Sequence, residues 1–588
     1  MKSPVYSARL LTGIGREIGV SVCVFYACVS ATAFLAPLLL ALGMRPLVNG
    51  TSDHDGARTV VGAVVSGLAL LLTVLAPLGY RWATIRMRER SVMVVQRRLL
   101  DLAARAPRLA HFERPEFWDR LQLLRRGTED LANGMTLVLI GPVVSTQLIV
   151  AAVVLGQLQP LLCLVPAVAL PAIWLSRKAE ALRQSAEIRT AQPRRLAYHL
   201  FELSSSAAPA KDLRIYGLGP ELLDRHRRAS RSVQVQTEAA LRRSVGANAL
   251  SWLLFAVVYA GALSVLLHQV ARGRATAGDV ALTVTMAAAV VAGAGRLTDL
   301  TGSVARVGAV AEHYRWLHAQ ADETAAGIAP ARLAEGIRLE QVSFAYAPDG
   351  DPVLSDLSLT LPAGAVVAVV GENGAGKSTL IKLLTGMYAP SAGRILIDGQ
   401  DLAGLDLAAF RERITAGYQD FAQFELTVTQ SVGVGDRPRR DDEAATGAAL
   451  ARVAADFVGR LPQGAHTQLG TGWTGGVDLS GGEWQKIAMA RSLMRPSALL
   501  AVYDEPAAAL DPQSEHALFE QIARDAKLGR AQGRVTVLVS HRFSTVRMAD
   551  LIVVIDGGRV LEQGTHEELL GTDGLYAELY RLQAAAYR

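Results

Sequence analysis

The stretch from Val366 to Met387 decides the reading: VVAVV, then Gly371-Glu372-Asn373-Gly374-Ala375-Gly376-Lys377-Ser378-Thr379, then LIKLLTGM. A short β-branched run, a glycine-rich loop closing on Gly-Lys-Ser, and a helical pattern spell the P-loop, G-x-x-x-x-G-K-[ST]. Glycines here let successive backbone N–H groups wrap phosphates without Cβ clashes, and the start of the following helix adds its partial positive charge. Lys377 is placed for the β- and γ-phosphates and the Ser378 hydroxyl for Mg²⁺. Residues 371 to 379 are therefore the candidate nucleotide-binding set.

Around the loop, from Ile337 onward, β-branched runs alternate with turns and helical stretches, the pattern of an α/β domain with a largely parallel sheet. One run, Leu499 to Tyr503, delivers Asp504 and Glu505 to its C-terminal end, where ligands bind in open α/β sheets. Asp504 suits the Mg²⁺ shell, and Glu505 suits accepting a proton from, or orienting, a water that attacks the γ-phosphate. Adjacent acids also end ordinary strands; the P-loop is what gives this pair a role. Between them, Leu479-Ser480-Gly481-Gly482-Glu483 leads into the helical run WQKIAMARSLM. Ser480 reads as an N-cap, and the Gly481 and Gly482 amides as a second anion site at a helix start.

Before residue 330 the chain changes character. The 588 residues exceed one compact domain, and 51% hydrophobic content with a mean hydropathy of +0.25 excludes a disordered or fibrous chain. Six apolar stretches approach the ~20 residues that cross a bilayer: Ile18 to Leu42, Val60 to Tyr80, Met135 to Leu155, Leu158 to Leu175, Ala247 to Leu267 and Ala277 to Gly295. The fourth is short and holds Pro160, Pro166 and Pro171, so a buried soluble helix is its alternative. A signal peptide is the alternative for the first, although the run is longer than an h-region.

Arginines place the loops. Residues 81 to 133 and 176 to 243 are rich in basic residues, while the alternate connections are short and poor in them, which puts both long loops and both termini in the cytosol. The loops look like extensions of the membrane helices, with two amphipathic segments at their tips, HFERPEFWDRLQ (His111 to Gln122) and KDLRIYGLGPELL (Lys211 to Leu223). Net charge is +6, with seven lysines against 53 arginines; that skew reports base composition rather than nucleic-acid binding. Cys23, Cys28 and Cys163 lie in apolar runs without metal spacing and read as small buried hydrophobes.

The motif set, in this order, resembles the ATP-binding cassette of the ABC transporter family, and with the six spans the whole chain resembles an exporter-type half-transporter. The implied fold is an α-helical membrane domain (residues 1–325) followed by an α/β P-loop NTPase domain (326–588). GENGAGKST matches Walker A, Gln419 in AGYQD the Q-loop, LSGGE the signature, LLAVYDE Walker B, Leu510-Asp511 the D-loop, and His541 in VLVSHR the switch histidine. The resemblance implies ATP and Mg²⁺ as ligands, with Ser378, Gln419 and Asp504 around the metal and Glu505, His541 and Gln419 in catalysis. It also implies that Ser480, Gly481 and Gly482 complete the nucleotide site of a partner cassette, with Asp511 at the same junction. Tyr346 in VSFAY would stack on adenine; alternatively Phe344 and Tyr346 simply alternate on a strand.

Ala507, Ala508 and Ala509 stand where the family often has Thr and Ser. Because Gln419, Glu505, His541 and the signature are all intact, a homodimer is favoured over a heterodimer with a degenerate partner. The tip segments resemble coupling helices, and KDLRIYGLG and YQDFAQFELTV resemble bacterial exporters of peptides or natural products. The implied location is a bacterial cytoplasmic membrane. Three function classes fit: an ATP-driven exporter of an amphipathic small molecule, lipid or peptide; an importer on the same architecture; and an ATP-switched sensor or channel.

Overall fold

The computed structural model describes residues 4–105, 108–109, 112–113, 115–163, 169–321, 327–347, 350–507, 512–540, 542 and 546–586. They form two compact units, one of residues 1–104 and 118–319, the other of residues 105–117 and 320–588.

The first unit is helical: α1 (Pro4–Ile18), α2 (Val20–Ser52), α3 (Gly56–Arg105), α4 (Pro115–Leu158), α5 (Ala169–Ser205), α6 (Ala207–Ile215), α7 (Gly219–Ala271) and α8 (Ala277–Ala321). Among the described residues five helices are long and apolar enough to cross a membrane: Val20–Ser52, Gly56–Ala104, Gly127–Leu158, Trp252–Ala271 and Ala277–Ala319. The fourth expected span falls partly on residues 164–168, outside the described residues. The 50-residue α3 and 53-residue α7 run well past their apolar windows, as the loop composition suggests.

Small residues let these helices touch, as they do where lipid supplies no hydrophobic drive between helices. A Cβ on Gly62 would stand 2.3 Å from the Leu47 nitrogen, so α2 and α3 approach backbone to backbone. Opposite ends of α4 and α8 are registered by Gln147 Nε2 donating to the Ala289 carbonyl (3.1 Å) and by Arg306 pairing with Asp130 (3.1 Å).

Three expectations need correction. Lys211 to Leu223 is not one helix: Gly217 adopts φ 61°, and Leu218 N–H reaches back to the Leu213 carbonyl (3.0 Å), a glycine stop that ends α6 before Pro220 opens α7. His111 to Gln122 is not a separate tip helix either; Pro115 does open a helix, but that helix is the 44-residue α4. Cys28 is exposed and Cys23 only partly buried, its thiol donating to the Gly15 carbonyl of α1 at 3.7 Å; the side chain of Cys163 lies outside the described residues.

The second unit holds two sheets. An antiparallel sheet has the order β2-β1-β4-β5, from β1 (Gly336–Phe344), β2 (Leu354–Pro362), β4 (Ala392–Ile397) and β5 (Gln400–Asp401). The other has the order β10-β9-β3-β8-β7-β6, from β3 (Val366–Val370), β6 (Ile414–Gly417), β7 (Leu500–Asp504), β8 (Val535–Val539), β9 (Leu551–Asp556) and β10 (Arg559–Gly564); only β10 runs antiparallel. Strands β3, β7 and β8 are almost wholly buried, which accounts for their unbroken apolar runs. Leu380, Ile381, Leu383 and Leu384 of α9 (Lys377–Leu384) join the same core and fix the P-loop helix against it. A helical region around α10 (Gly481–Ser492) has its own core, including Trp484, Ile487 and Met489.

Candidate nucleotide site

Strand β3 stops at Val370 and α9 starts at Lys377, so the P-loop spans the C-terminal edge of the parallel sheet. Its glycines are conformationally required. Gly371, Gly374 and Gly376 have φ of 151°, 88° and 101°, and a Cβ on Gly371 would lie 2.1 Å from the Ile555 carbonyl oxygen. No protein atom lies within 4 Å of a Cβ on Gly374, so one side of the loop is open. Lys377 folds back over this loop, its Nζ donating to the carbonyls of Gly371 and Glu372, both at 2.8 Å. Burial pushes its ammonium below the usual lysine range, while the charges of Glu505 and Asp504 act in the opposite sense.

Asp504 ends the buried β7, one strand away from β8 and two from β3. Its carboxyl is raised, chiefly by burial; the Ser378 hydroxyl bonded to it and the Lys377 charge partly offset this, and Glu505 and Asp420 add to it. Ser378 and Asp504 thus set two hard oxygen ligands side by side, the donor set that Mg²⁺ takes. Glu505 follows in a left-handed conformation, φ 46°, with its N–H held by the Val539 carbonyl at 3.0 Å. Its carboxylate accepts from Gln419 Nε2 at 3.1 Å, joining the residue after β7 to the residue just beyond β6.

Ser480 caps α10 with a reciprocal box: Glu483 N–H donates to its hydroxyl (3.4 Å) and Ser480 N–H to the Glu483 carboxylate (2.9 Å). Gln485 on the same helix donates to the Pro506 carbonyl at 2.7 Å, tying the signature helix to the turn that carries Glu505. Tyr346 lies past the end of β1. Phe344 is buried, whereas Tyr346 is 42% exposed with its hydroxyl 3.0 Å from Thr379 Oγ1. Its ring packs on Phe344 and Tyr388, with centroids 5.0 and 5.5 Å away.

Gln419, Glu505, Asp504, Ser378 and Lys377 are therefore linked directly, and Tyr346 reaches the P-loop through Thr379. Ser480, Gly481 and Gly482 form a separate helix start. Asp511 and His541 lie outside the described residues.

Sequence reasoning passed over Asp420, beside Gln419, and Arg491 in the α10 run. The Arg491 guanidinium stacks 4.4 Å from the Phe424 ring centroid and donates to the carbonyls of Ser431 (2.9 Å) and Ala422 (3.1 Å). Burial pushes it down to about 10. An arginine on an otherwise buried helical face was the available signal.

Residues 354–508 match the ABC transporter family. Similar curated proteins include an ATP-dependent lipid A-core flippase of Chromohalobacter salexigens, 34% identical over 59% of this chain and 58% of that protein. A protein of the same name from Xanthomonas campestris pv. campestris is 33% identical over 66% of this chain and 64% of its own. The chain thus spans less than two thirds of the length of these curated relatives. Among solved structures, one titled a bacterial Atm1-family ABC exporter with ATP bound superposes with a TM-score of 0.82 at 24% identity, over 97% of this chain and 99% of that one. Residues 354–508 thus belong to the ABC transporter family as its cassette, and over nearly its whole length the chain shares the fold of that exporter.

Proposed function

We propose that the chain is half of an ATP-driven exporter, a homodimer in a bacterial cytoplasmic membrane with its cassettes and both termini in the cytosol. In this reading residues 1–325 form the membrane domain and 326–588 the cassette. The carrying observation is that Lys377, Ser378, Asp504, Glu505 and Gln419 gather on one sheet edge in a chain whose described residues also hold five apolar helices of spanning length.

The residues fit Mg²⁺ and ATP. The open backbone face at Gly374 and the buried Lys377 suit a polyphosphate, and the Ser378–Asp504 pair suits a small hard cation. Bound Mg²⁺ supplies charge neutralisation on the phosphates. Glu505, held by Gln419, orients a water and accepts its proton; Lys377 binds the β- and γ-phosphates. Ser480, Gly481, Gly482 and Asp511 complete the partner's site, His541 contacts the γ-phosphate, and Tyr346 offers its ring to adenine. Since each copy carries both Glu505 and an intact signature, two copies suffice.

For cargo we propose an amphipathic, lipid-like molecule with an anionic head. Arg296 on α8 stacks 4.1 Å from the Phe34 ring centroid, and Phe34 meets Tyr80 at 5.1 Å, so a cation and aromatic rings from three helices meet where the apolar part of α8 ends. That combination suits an acidic head on an apolar body. The test is ATPase activity in lipid nanodiscs, wild type against Glu505→Gln, with a phosphorylated glycolipid and a cationic drug. Activity lost in the variant and stimulated by the glycolipid supports the reading. A folded wild type without activity overturns the self-sufficient homodimer, and stimulation by the drug alone overturns the cargo class.

A further inference from the structure

The start of α10 is open: among the described residues nothing lies within 4 Å of a Cβ on Gly481. Where Ser480, Gly481 and Gly482 sit is therefore set further along the helix. We propose that Arg452 and Asp525 are positioning residues for ATP hydrolysis, which fix the tilt of α10 against the strand whose end holds Glu505. The inference rests on the reading of the Ser480 helix start as part of a nucleotide site.

The link runs through one carboxylate. Arg452 ends the helix Glu443–Arg452, and its guanidinium divides between two partners. Nη1 donates to the Leu493 carbonyl at 3.1 Å, just past the end of α10, and Nη2 pairs with Asp525. Asp525 lies on α11 (Pro512–Arg530) and receives Arg534 Nη2 on its other oxygen at 2.8 Å. Arg534 is 2% exposed and lies across Gly529, where a Cβ would stand 2.1 Å from its Nε. It directly precedes β8, whose last residue, Val539, holds the Glu505 N–H. Tyr503, the residue before Asp504, feels the same carboxylate: burial first and the Asp525 charge second raise its phenol.

Two guanidiniums on one buried carboxylate are a poor source of stability, since each charge gives up its hydration. They are a better source of direction, because a charge-assisted fork fixes distance and angle together. The neighbouring carbonyls are held differently. Thr415 of β6 donates a neutral hydroxyl to Ser492, and Arg439, which donates to Met494, is paired with Asp436 in its own turn.

Nearer the start of α10, Gln485 is fixed on Pro506, and the core residues Trp484, Ile487 and Met489 lie around that point. The helix can pivot there once Arg452 is lost. Leu493 is eight residues from Gln485 and Ser480 is five, about 12 and 7.5 Å along the axis. A drift of about 1.5 Å at Leu493 then moves Ser480 by about 1 Å, a displacement that costs up to about 10²-fold in rate.

The test compares Arg452→Met with wild type as the full chain in nanodiscs. Methionine keeps the apolar stem, and the Asp525–Arg534 pair left behind is neutral, so the melting temperature stays within about 4 °C. ADP affinity, read by isothermal titration, stays within about twofold, because ADP has no γ-phosphate for a signature loop to meet. ATP turnover falls about 10- to 100-fold. Arg452→Lys keeps a charge beside Asp525 but loses the fork, and its turnover falls in between.

Wild-type turnover in Arg452→Met overturns the inference. So does a fall in turnover matched by lost ADP affinity or by a larger drop in melting temperature, the mark of a general brace. If Arg452→Met does not fold, Arg452→Lys decides on the same three readouts. Ser480→Arg separates the underlying reading. If it blocks turnover while Arg452→Met does not, only the inference fails; if Ser480→Arg turns over ATP as wild type does, the helix start is no part of the site and both fail.

Discussion

The phenolic hydroxyl of Tyr388 donates to the carboxylate of Glu113, a residue 275 positions earlier in the chain. Beside it the Leu109 N–H donates to the Met387 carbonyl at 2.9 Å, and the Tyr388 ring touches Tyr346, whose hydroxyl reaches Thr379 of the P-loop. The segment before α4 is thus connected to the nucleotide loop by three side chains.

A double-mutant cycle of Tyr388→Phe and Glu113→Gln, measured by chemical denaturation at pH 7, is expected to give a coupling of about 1 kcal/mol. Burial first, and the bond to Glu113 second, raise the Tyr388 phenol above its ordinary 10.0. The folded protein therefore holds this proton longer than the unfolded chain does. The coupling should be complete below pH 10 and fade above it; a coupling that grows above pH 10 would contradict the assignment.

Glu505 combines a proposed chemical role with a left-handed backbone. Glu505→Gln should lower the ATP turnover number by about 10² to 10⁴, the range of a lost general base, while leaving ATP affinity near wild type. Glu505→Gly should be equally inactive yet more stable by about 1 kcal/mol, since glycine adopts φ 46° without strain. Thermal unfolding of the two variants side by side reads the difference, and equal stability would mean that the turn stores no strain.

Asp504 carries a raised pKa caused chiefly by burial. Its ionised form is therefore penalised in the folded state at neutral pH, and the penalty vanishes below its ordinary 3.8. Without nucleotide or metal, Asp504→Asn should melt above the wild type at pH 7.5, with the gain shrinking on acidification. The same variant should lose the stabilisation that Mg²⁺ adds to ATP binding. Unchanged Mg²⁺-dependent protection would remove Asp504 from the metal shell.

Arg491→Lys keeps the charge but loses the planar stack on Phe424 and the fork between the Ala422 and Ser431 carbonyls. A cost of about 2 to 3 kcal/mol is expected from the carbonyls left without a donor. Because those groups lie just after Gln419, ATP turnover should fall further than ATP affinity. Equal losses in both would indicate a general effect on folding.

The P-loop, the strand bearing Asp504 and Glu505, and the Ser480 cap were legible because each depends on residues within a dozen positions of one another. The parallel sheet followed from β-branched runs buried on both faces. Less legible were features set by distant contacts. HFERPEFWDRLQ has a helical apolar spacing, but nothing in it says that Pro115 opens a 44-residue helix or that Glu113 belongs with Tyr388. KDLRIYGLGPELL has the same spacing, which says nothing of the left-handed turn at Gly217 that breaks it. Arg491 shows locally only as an arginine in an otherwise apolar helical run, and its partners Ala422, Phe424 and Ser431 lie some 60 to 70 positions earlier in the chain.

The second unit is discontinuous: residues 105–117 complete a body otherwise made of residues 320–588. During synthesis from the N-terminus Glu113 therefore emerges 275 residues before Tyr388, its partner on the surface it joins, a wait of about 14 to 55 s at 5 to 20 residues per second. Throughout that interval the Leu109 N–H and the Glu113 carboxylate lack Met387 and Tyr388 as partners. The order of assembly then has a fixed last step, in which the newly folded sheet captures a strand of chain made long before it. A cassette cut free at residue 326 would lack that piece, leaving the Tyr388 hydroxyl and the Met387 carbonyl to water.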